Sequence, residues 1–214
     1  MKRKALEPER FRRLSAFAGS GYRRSMSRDP VVKKGARYDD LFDLPLHYVG
    51  EILDGTMYGH PRPAFGHSRV QFMLAGLLAG PFRIGRDGPG GWTFASEPEL
   101  HFGDDVLVPD LAGWRVERMP EPPPPHTPHL TLAPDWVCEI LSPGTRGIDL
   151  RKKMPRYREV GVSFAWTIDP LTQTVESWVA EEGRWRSGGR AGGSEFAMLP
   201  PFDAVPLELS LLWT

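Results

Sequence analysis

The chain has 214 residues with 27 basic and 27 acidic side chains, long enough for one domain with a sizeable core and without the overall basic charge of a dedicated polyanion binder. Gly (23) and Pro (22) together make about a fifth of the sequence, which excludes a helical bundle, while 40% hydrophobic residues exclude wholesale disorder. The longest apolar run, Phe72–Ala79, falls far short of the roughly 18 residues of a membrane helix, and the single Cys138 allows neither an internal disulfide nor a cysteine-rich zinc site, so a reducing, cytoplasmic location is expected.

Charge divides the chain. Residues 1–37 hold twelve Lys/Arg against Glu7, Glu9 and Asp29, a net of +9, so the remainder carries −9. This segment reads as a basic N-terminal extension, expected to be disordered, ahead of a mildly acidic domain over 38–214. A solvated tail is the favoured reading over an arm that grips nucleic-acid phosphates, and Met26 offers an internal translation start.

Within the domain, Tyr38–Leu44 reads as a short helix stopped by Pro45, and His47–Leu53 as a strand ending in the hairpin dipeptide Asp54-Gly55. Gly59–Gly66 reads as a proline-punctuated loop. Val70, Leu74, Leu77 and Leu78 then recur at helical spacing, which predicts an amphipathic helix over His67–Leu78. After a loop over Gly85–Gly91, Trp92–Phe94 enters a strand. Glu97–Phe102 and Val106–Trp114 form a second hairpin about Gly103-Asp104-Asp105, and Met119–Pro128 is an extended, proline-rich surface loop.

Trp136–Leu141 is a short, mostly apolar run of the kind found in sheet interiors. Ile148–Val160 has helical character, and Pro155 within it requires a start near Met154 or a kink. Ser163–Ile168 is a further strand, Thr174–Ala180 and Arg184–Arg186 a hairpin about Glu182-Gly183, Ser187–Ser194 a glycine-rich loop, and Leu207–Trp213 a short terminal element. The pattern is mixed α/β with a central sheet and two substantial helices.

Several conspicuous residues read as structural. His60, His67 and His101 lack metal-site spacing such as HExxH, and surface or cap roles are expected for His60 and His101. Ser142 lies in Leu-Ser-Pro-Gly-Thr rather than a G-x-S-x-G elbow, which points to a turn. Cys138 reads as a small core residue.

A set of carboxylates does not fit that description. Glu139 is the single charge in Trp136–Leu141, and a buried, unpaired carboxylate costs several kcal/mol, so it must meet a cation, a metal or a lysine. Asp110 ends the apolar run Val106–Val108 after Pro109. Glu51 stands beside Val49, Ile52 and Leu53. Lys152 and Lys153 lie in the helix that follows the Glu139 strand, where Asp149, Lys153 and Tyr157 at i, i+4 and i+8 share a face and Lys152 points to solvent. Two strand-borne acids and a lysine are the parts that hold Mg²⁺ and activate a water against a phosphodiester. On spacing alone, a salt bridge from Glu139 to Arg or Lys at the core edge is the other reading.

The ordered combination Tyr38-Asp39-Asp40-Leu41, Glu51-Ile52-Leu53-Asp54-Gly55, His67 with Leu74 and Leu77/Leu78, Val108-Pro109-Asp110, Pro134 to Pro143, Asp149, Lys153, Tyr157, Gly161-Val162 and Trp166 to Pro170 resembles the Uma2 family of restriction-type endonucleases in the PD-(D/E)XK nuclease superfamily. The resemblance runs from about Tyr38 to Asp169 and continues more weakly to the end. It implies a restriction-endonuclease-like core, a central mixed β-sheet flanked by helices (α/β, of mixed α+β type). It implies a Mg²⁺ or Mn²⁺ site at Asp110, Glu139 and the backbone carbonyl of Ile140, with Glu51 as an additional catalytic acid. The superfamily lysine two residues after the glutamate is here Leu141, so the family pattern places that lysine at Lys153, with His67, Asp149 and Tyr157 as supporting positions.

The implied function is a Mg²⁺-dependent DNA endonuclease hydrolysing phosphodiester bonds, cytoplasmic, with DNA as partner, no membrane contact, and a homodimer as the arrangement suited to cutting both strands. The alternative from a different class is a catalytically silent nucleic-acid-binding or complex-forming protein that keeps the fold. Retention of Glu51, Asp110, Glu139 and Lys153 favours the enzyme. The acidic balance of 38–214 weighs the other way, since DNA binders display basic surface.

Overall fold

The computed structural model describes residues 30–214, so most of the basic extension, and with it the expectation of disorder, lies outside the described residues. The fold begins before Tyr38. Strand β1 (Val31–Lys34) pairs antiparallel with β3 (Thr56–Pro61), so the end of the segment read as an extension is a sheet edge. The two valines favour an extended backbone and the lysines suit an exposed edge.

Two sheets carry the architecture. In the first, β1 and β3 are followed by β2 (Tyr48–Leu53), β6 (Asp105–Leu107) and β5 (Leu100–Phe102), all antiparallel. Asp54 and Gly55 both take positive φ in the β2–β3 turn, as the sequence predicts. The expected loop Gly59–Gly66 begins later than its glycine and prolines suggest, because Gly59, His60 and Pro61 still pair with Gly50, Val49 and Tyr48.

The second sheet has the order β11 (Arg184–Gly192), β10 (Thr174–Glu181), β9 (Phe164–Asp169), β8 (Trp136–Ile140), β7 (Leu111–Arg115) and β4 (Trp92–Ser96). Only β8 and β9 run parallel. A parallel pair needs a crossover, and the helical segment Arg146–Glu159 supplies it. Strand β11 extends through the expected glycine-rich loop. A Cβ on Gly188 would lie 2.9 Å from Ser177 Oγ and 3.1 Å from Val179 Cγ2, so glycine there permits close strand approach beside the register shift at Ser177/Trp178.

The predicted strand Val106–Trp114 is two strands in different sheets. Pro109 cannot donate to a ladder, and Val108-Pro109-Asp110 carries the chain from β6 in one sheet to β7 in the other. The first long helix, α1 (Phe65–Leu78), packs Val70, Leu74 and Leu78 with Trp136, Cys138, Ile140 and Trp166 on one face of the second sheet. Val137 and Ala165 belong to the opposite core, with Leu53 and Leu107 of the first sheet. No helix among the described residues is long and apolar enough to cross a membrane.

Candidate active site

The crossover helix is not the regular helix that its periodicity suggests. A short α2 (Arg146–Ile148) opens into a π-helical turn, Asp149–Lys153, and closes as α3 (Met154–Glu159). Pro155 offers no N–H and its ring would crowd the carbonyl four residues back in a regular α-turn, so the widened turn lies immediately before it. Met154 N–H accordingly donates to the Asp149 carbonyl. Asp149, Lys153 and Tyr157 still end on one face, all buried, whereas the Lys152 side chain is about half exposed and 3.9 Å from Asp54.

Lys153 is the hub. Its ammonium lies 2.9 Å from Glu51 Oε1, 2.8 Å from Glu139 Oε1 and 3.8 Å from Asp149 Oδ1, and donates to the Val108 carbonyl at 3.0 Å. Glu51 reaches it from β2 and Glu139 from β8, so the two sheets meet at this lysine. Tyr157 donates to Glu139 Oε1 at 2.6 Å, and Val108 N–H donates to Glu51 Oε1 at 2.7 Å. The backbone of Val108, outside either ladder, is thus satisfied by site residues at both of its polar groups.

Asp110 follows in the same crossing segment. Its Oδ2 accepts the Ile140 N–H at 2.6 Å, and its Oδ1 lies 2.8 Å from His67 Nε2. Gln71, one helical turn beyond His67, donates to the Asp110 backbone carbonyl at 2.8 Å. In a strand the N–H and C=O of one residue leave on the same side, so the Ile140 carbonyl also faces the Asp110 side of β8. The structure therefore gathers Glu51, His67, Asp110, Glu139, Asp149 and Lys153 around one cavity of about 90 Å³, with Tyr157 packed behind Glu139.

The electrostatics are lopsided. Four acids, Glu51, Asp110, Glu139 and Asp149, share the cavity with one ammonium. Burial pushes the Glu139 carboxyl well above its ordinary pKa despite the pull of Lys153, and raises Asp149 to about 7. Burial alone would lower Lys153, but Glu139 and Glu51 outweigh it and hold the ammonium well above the ordinary lysine range. Burial raises the Tyr157 hydroxyl. The raised acids hold protons that a divalent cation would displace, so the oxygen donors of Asp110, Glu139 and the Ile140 carbonyl fit a hard ion.

Three contributors escape the sequence reading. His60, expected at the surface or a cap, is 8% exposed on β3; it lines the cavity, and burial lowers its pKa. Gln71 was legible only as the residue four beyond His67. Glu97, at φ 48°, borders the cavity mouth and donates its N–H to the Asp110 carbonyl at 3.1 Å. By contrast, Ser142 makes the expected turn, with its Oγ 2.9 Å from Thr145 Oγ1, and Cys138 is buried in the core, its thiol raised by burial.

A mixed sheet with a parallel β8/β9 pair, its carboxylates clustered at a lysine on the intervening helix, defines a nuclease-like fold. Residues 39–211 match the family described as "Uma2: Putative restriction endonuclease". The chain belongs to that family, as its motifs imply. Among solved structures it is similar to a protein from Anabaena variabilis ATCC 29413 titled a "putative nuclease", at 23% identity and TM-score 0.64, over 83% of this chain and 97% of that one. No curated protein matches it.

Proposed function

We propose that this protein is a Mg²⁺- or Mn²⁺-dependent endonuclease that hydrolyses phosphodiester bonds of DNA. The observation that carries the reading is the buried Lys153 ammonium, 2.8 Å from Glu139 and 2.9 Å from Glu51, beside Asp110 at the base of one cavity. A divalent ion held by Asp110, Glu139 and the Ile140 carbonyl would polarise the scissile phosphate and lower the pKa of an attacking water.

The chain's own groups have distinct tasks. Lys153 stays charged, so it offsets charge developing on the phosphate rather than removing a proton. Tyr157 and Asp149 hold the lysine and Glu139 in register; His67 and Ile140 N–H hold the two oxygens of Asp110. Glu51 supplies the additional acid and fixes the crossing segment through Val108. Arg146, Arg151 and Lys152 line an open groove along the same helical segment, a basic surface suited to the DNA backbone. A homodimer would present two such sites to opposite strands. A cytoplasmic location suits the single buried, free Cys138.

The second reading, a catalytically silent nucleic-acid binder, has one observation in its favour. The three N–H groups of Lys153 are matched by three acceptors, on Glu51, Glu139 and Val108, which leaves none for a substrate in this arrangement. Plasmid nicking by the full chain with Mg²⁺ or Mn²⁺ separates the two. Cleavage that EDTA stops and that Asp110→Asn loses supports the enzyme. DNA binding without cleavage in either metal overturns it.

A further inference from the structure

Away from the cavity, Glu99, His101 and His129 form the one group of at least three potential ligands found among the described residues, with one ligand atom from each lying within 4.8 Å of the others. Glu99 precedes β5, His101 lies within it, and His129 sits at the end of the proline-rich loop after β7. Their meeting is written into the backbone. Leu100 and Leu130 form a parallel bridge, in which His101 N–H donates to the Leu130 carbonyl at 2.8 Å and Leu130 N–H to the Glu99 carbonyl at 2.9 Å. Side chains alternate along extended chain. Leu100 and Leu130 therefore turn into the apolar core, which both join, while Glu99, His101 and His129 emerge together on the opposite side.

One of the three is anchored from outside the group, and one ring nitrogen has no partner. Tyr38 donates its hydroxyl to Glu99 Oε1 at 2.8 Å, and His101 Nε2 lies 2.7 Å from the same oxygen. His129 Nδ1 is buried with no hydrogen-bond partner. We propose that Glu99, His101 and His129 bind a transition-metal ion of the zinc class, at a site separate from the carboxylate cluster. Two imidazole nitrogens and one carboxylate select a borderline ion, whereas the all-oxygen cluster at Asp110 and Glu139 suits a hard one.

The two imidazoles now lie stacked, centroids 3.8 Å apart and 10° from parallel. A ligating ring points a nitrogen lone pair at its ion within the ring plane, so loading the site opens the stack by side-chain rotation and leaves a fourth position for water. The consequence is mechanical. β5 is the outer strand of the first sheet, and an ion joining His129 to it fastens the proline-rich loop over that edge. Binding to the folded form alone also raises stability.

The test is a Co²⁺ titration of the tag-free full chain after chelator treatment, read by visible absorption and followed by Zn²⁺ competition. In Asp110→Asn, where the carboxylate site is disabled, one equivalent of Co²⁺ displaced by Zn²⁺ is expected, and the parent protein should show the same tight transition beside any uptake at the carboxylates. His129→Ala and the milder Glu99→Gln should each weaken binding by more than about 100-fold, since even residues that merely hold a metal ligand are worth about 10–100-fold. Circular dichroism shows whether each variant is folded, and Glu99→Gln carries the test if His129→Ala is not. Absence of saturable binding, retention in the folded ligand variants, or loss in Asp110→Asn would overturn the site.

Discussion

The two faces of β8 differ in kind although they share five residues. On one, Trp136, Cys138 and Ile140 join Trp166, Phe202 and helix α1 in an apolar core, with Trp136 and Trp166 edge-to-face at 5.7 Å. On the other, Val137 joins the second core and Glu139 meets Lys153, Tyr157 and the surplus of carboxylates. The first face contributes stability through area removed from water. The second sacrifices some of it, since burial holds Glu139 and Asp149 well above their ordinary pKa values. The proposed site is lodged where the sheet is electrostatically uncomfortable, and the apolar face makes that tolerable.

The sharpest break in this comparison is Asp110→Asn. If Asp110 holds the ion as proposed, its loss removes several kcal/mol of transition-state stabilisation, so cleavage should fall about 10³-fold or more. Thermal melting should stay level or rise, because the amide oxygen can still accept the Ile140 N–H and one charge leaves the cluster. The mirror image is Trp166→Ala on the apolar face: about 3–5 kcal/mol of stability lost in denaturant unfolding, with cleavage per folded molecule retained.

Lys153→Ala should fail on both counts, losing about 10²–10³-fold in the chemical step and about 3–5 kcal/mol of stability by stranding buried acids. Single-turnover cleavage and unfolding measured on the same preparation check it. Lys152→Ala, exposed and loosely paired, should change stability by less than about 0.5 kcal/mol. Equal loss of activity in the two lysine variants would sink the assignment of Lys153.

The charged face should also be the pH-sensitive one. Asp149 has a folded pKa of about 7 against 3.8 in a free chain. A raised carboxyl means that the folded state keeps a proton which the unfolded chain loses first. Its contribution to stability is therefore full below pH 3.8 and lost as pH rises to about 7, by up to roughly 4 kcal/mol. In chelator, Asp149→Asn should gain stability over the parent at pH 8 and show no gain below pH 4. A gain independent of pH would show that Asp149 is not the group that titrates.

Much of this was legible before any fold was known. Glu139 stood out as the lone charge in an apolar strand, and Asp149, Lys153 and Tyr157 as one helical face, because both inferences need only local periodicity and the high cost of burying a charge. The family motifs placed the chain in its family and its mixed α/β fold class. Two of the misreadings share a cause. Gly59–Pro61 and Ser187–Gly192 resemble loops because glycine and proline are weak strand formers, yet pairing with β2 and β10 overrides that preference.

Sequence alone determined the alternation that buries Glu139, the hairpin at Asp54-Gly55 and the helical face of Lys153, since each depends on residues a few positions apart. Only the tertiary structure decided that Val108-Pro109-Asp110 crosses between sheets, that the turn before Pro155 widens, that His60 and Glu97 line the cavity, and that Gln71 braces Asp110. It alone brought His129 beside Glu99 and His101. These outcomes rest on hydrogen bonds and packing between segments tens of residues apart, and no local pattern records which distant partner a backbone group will find.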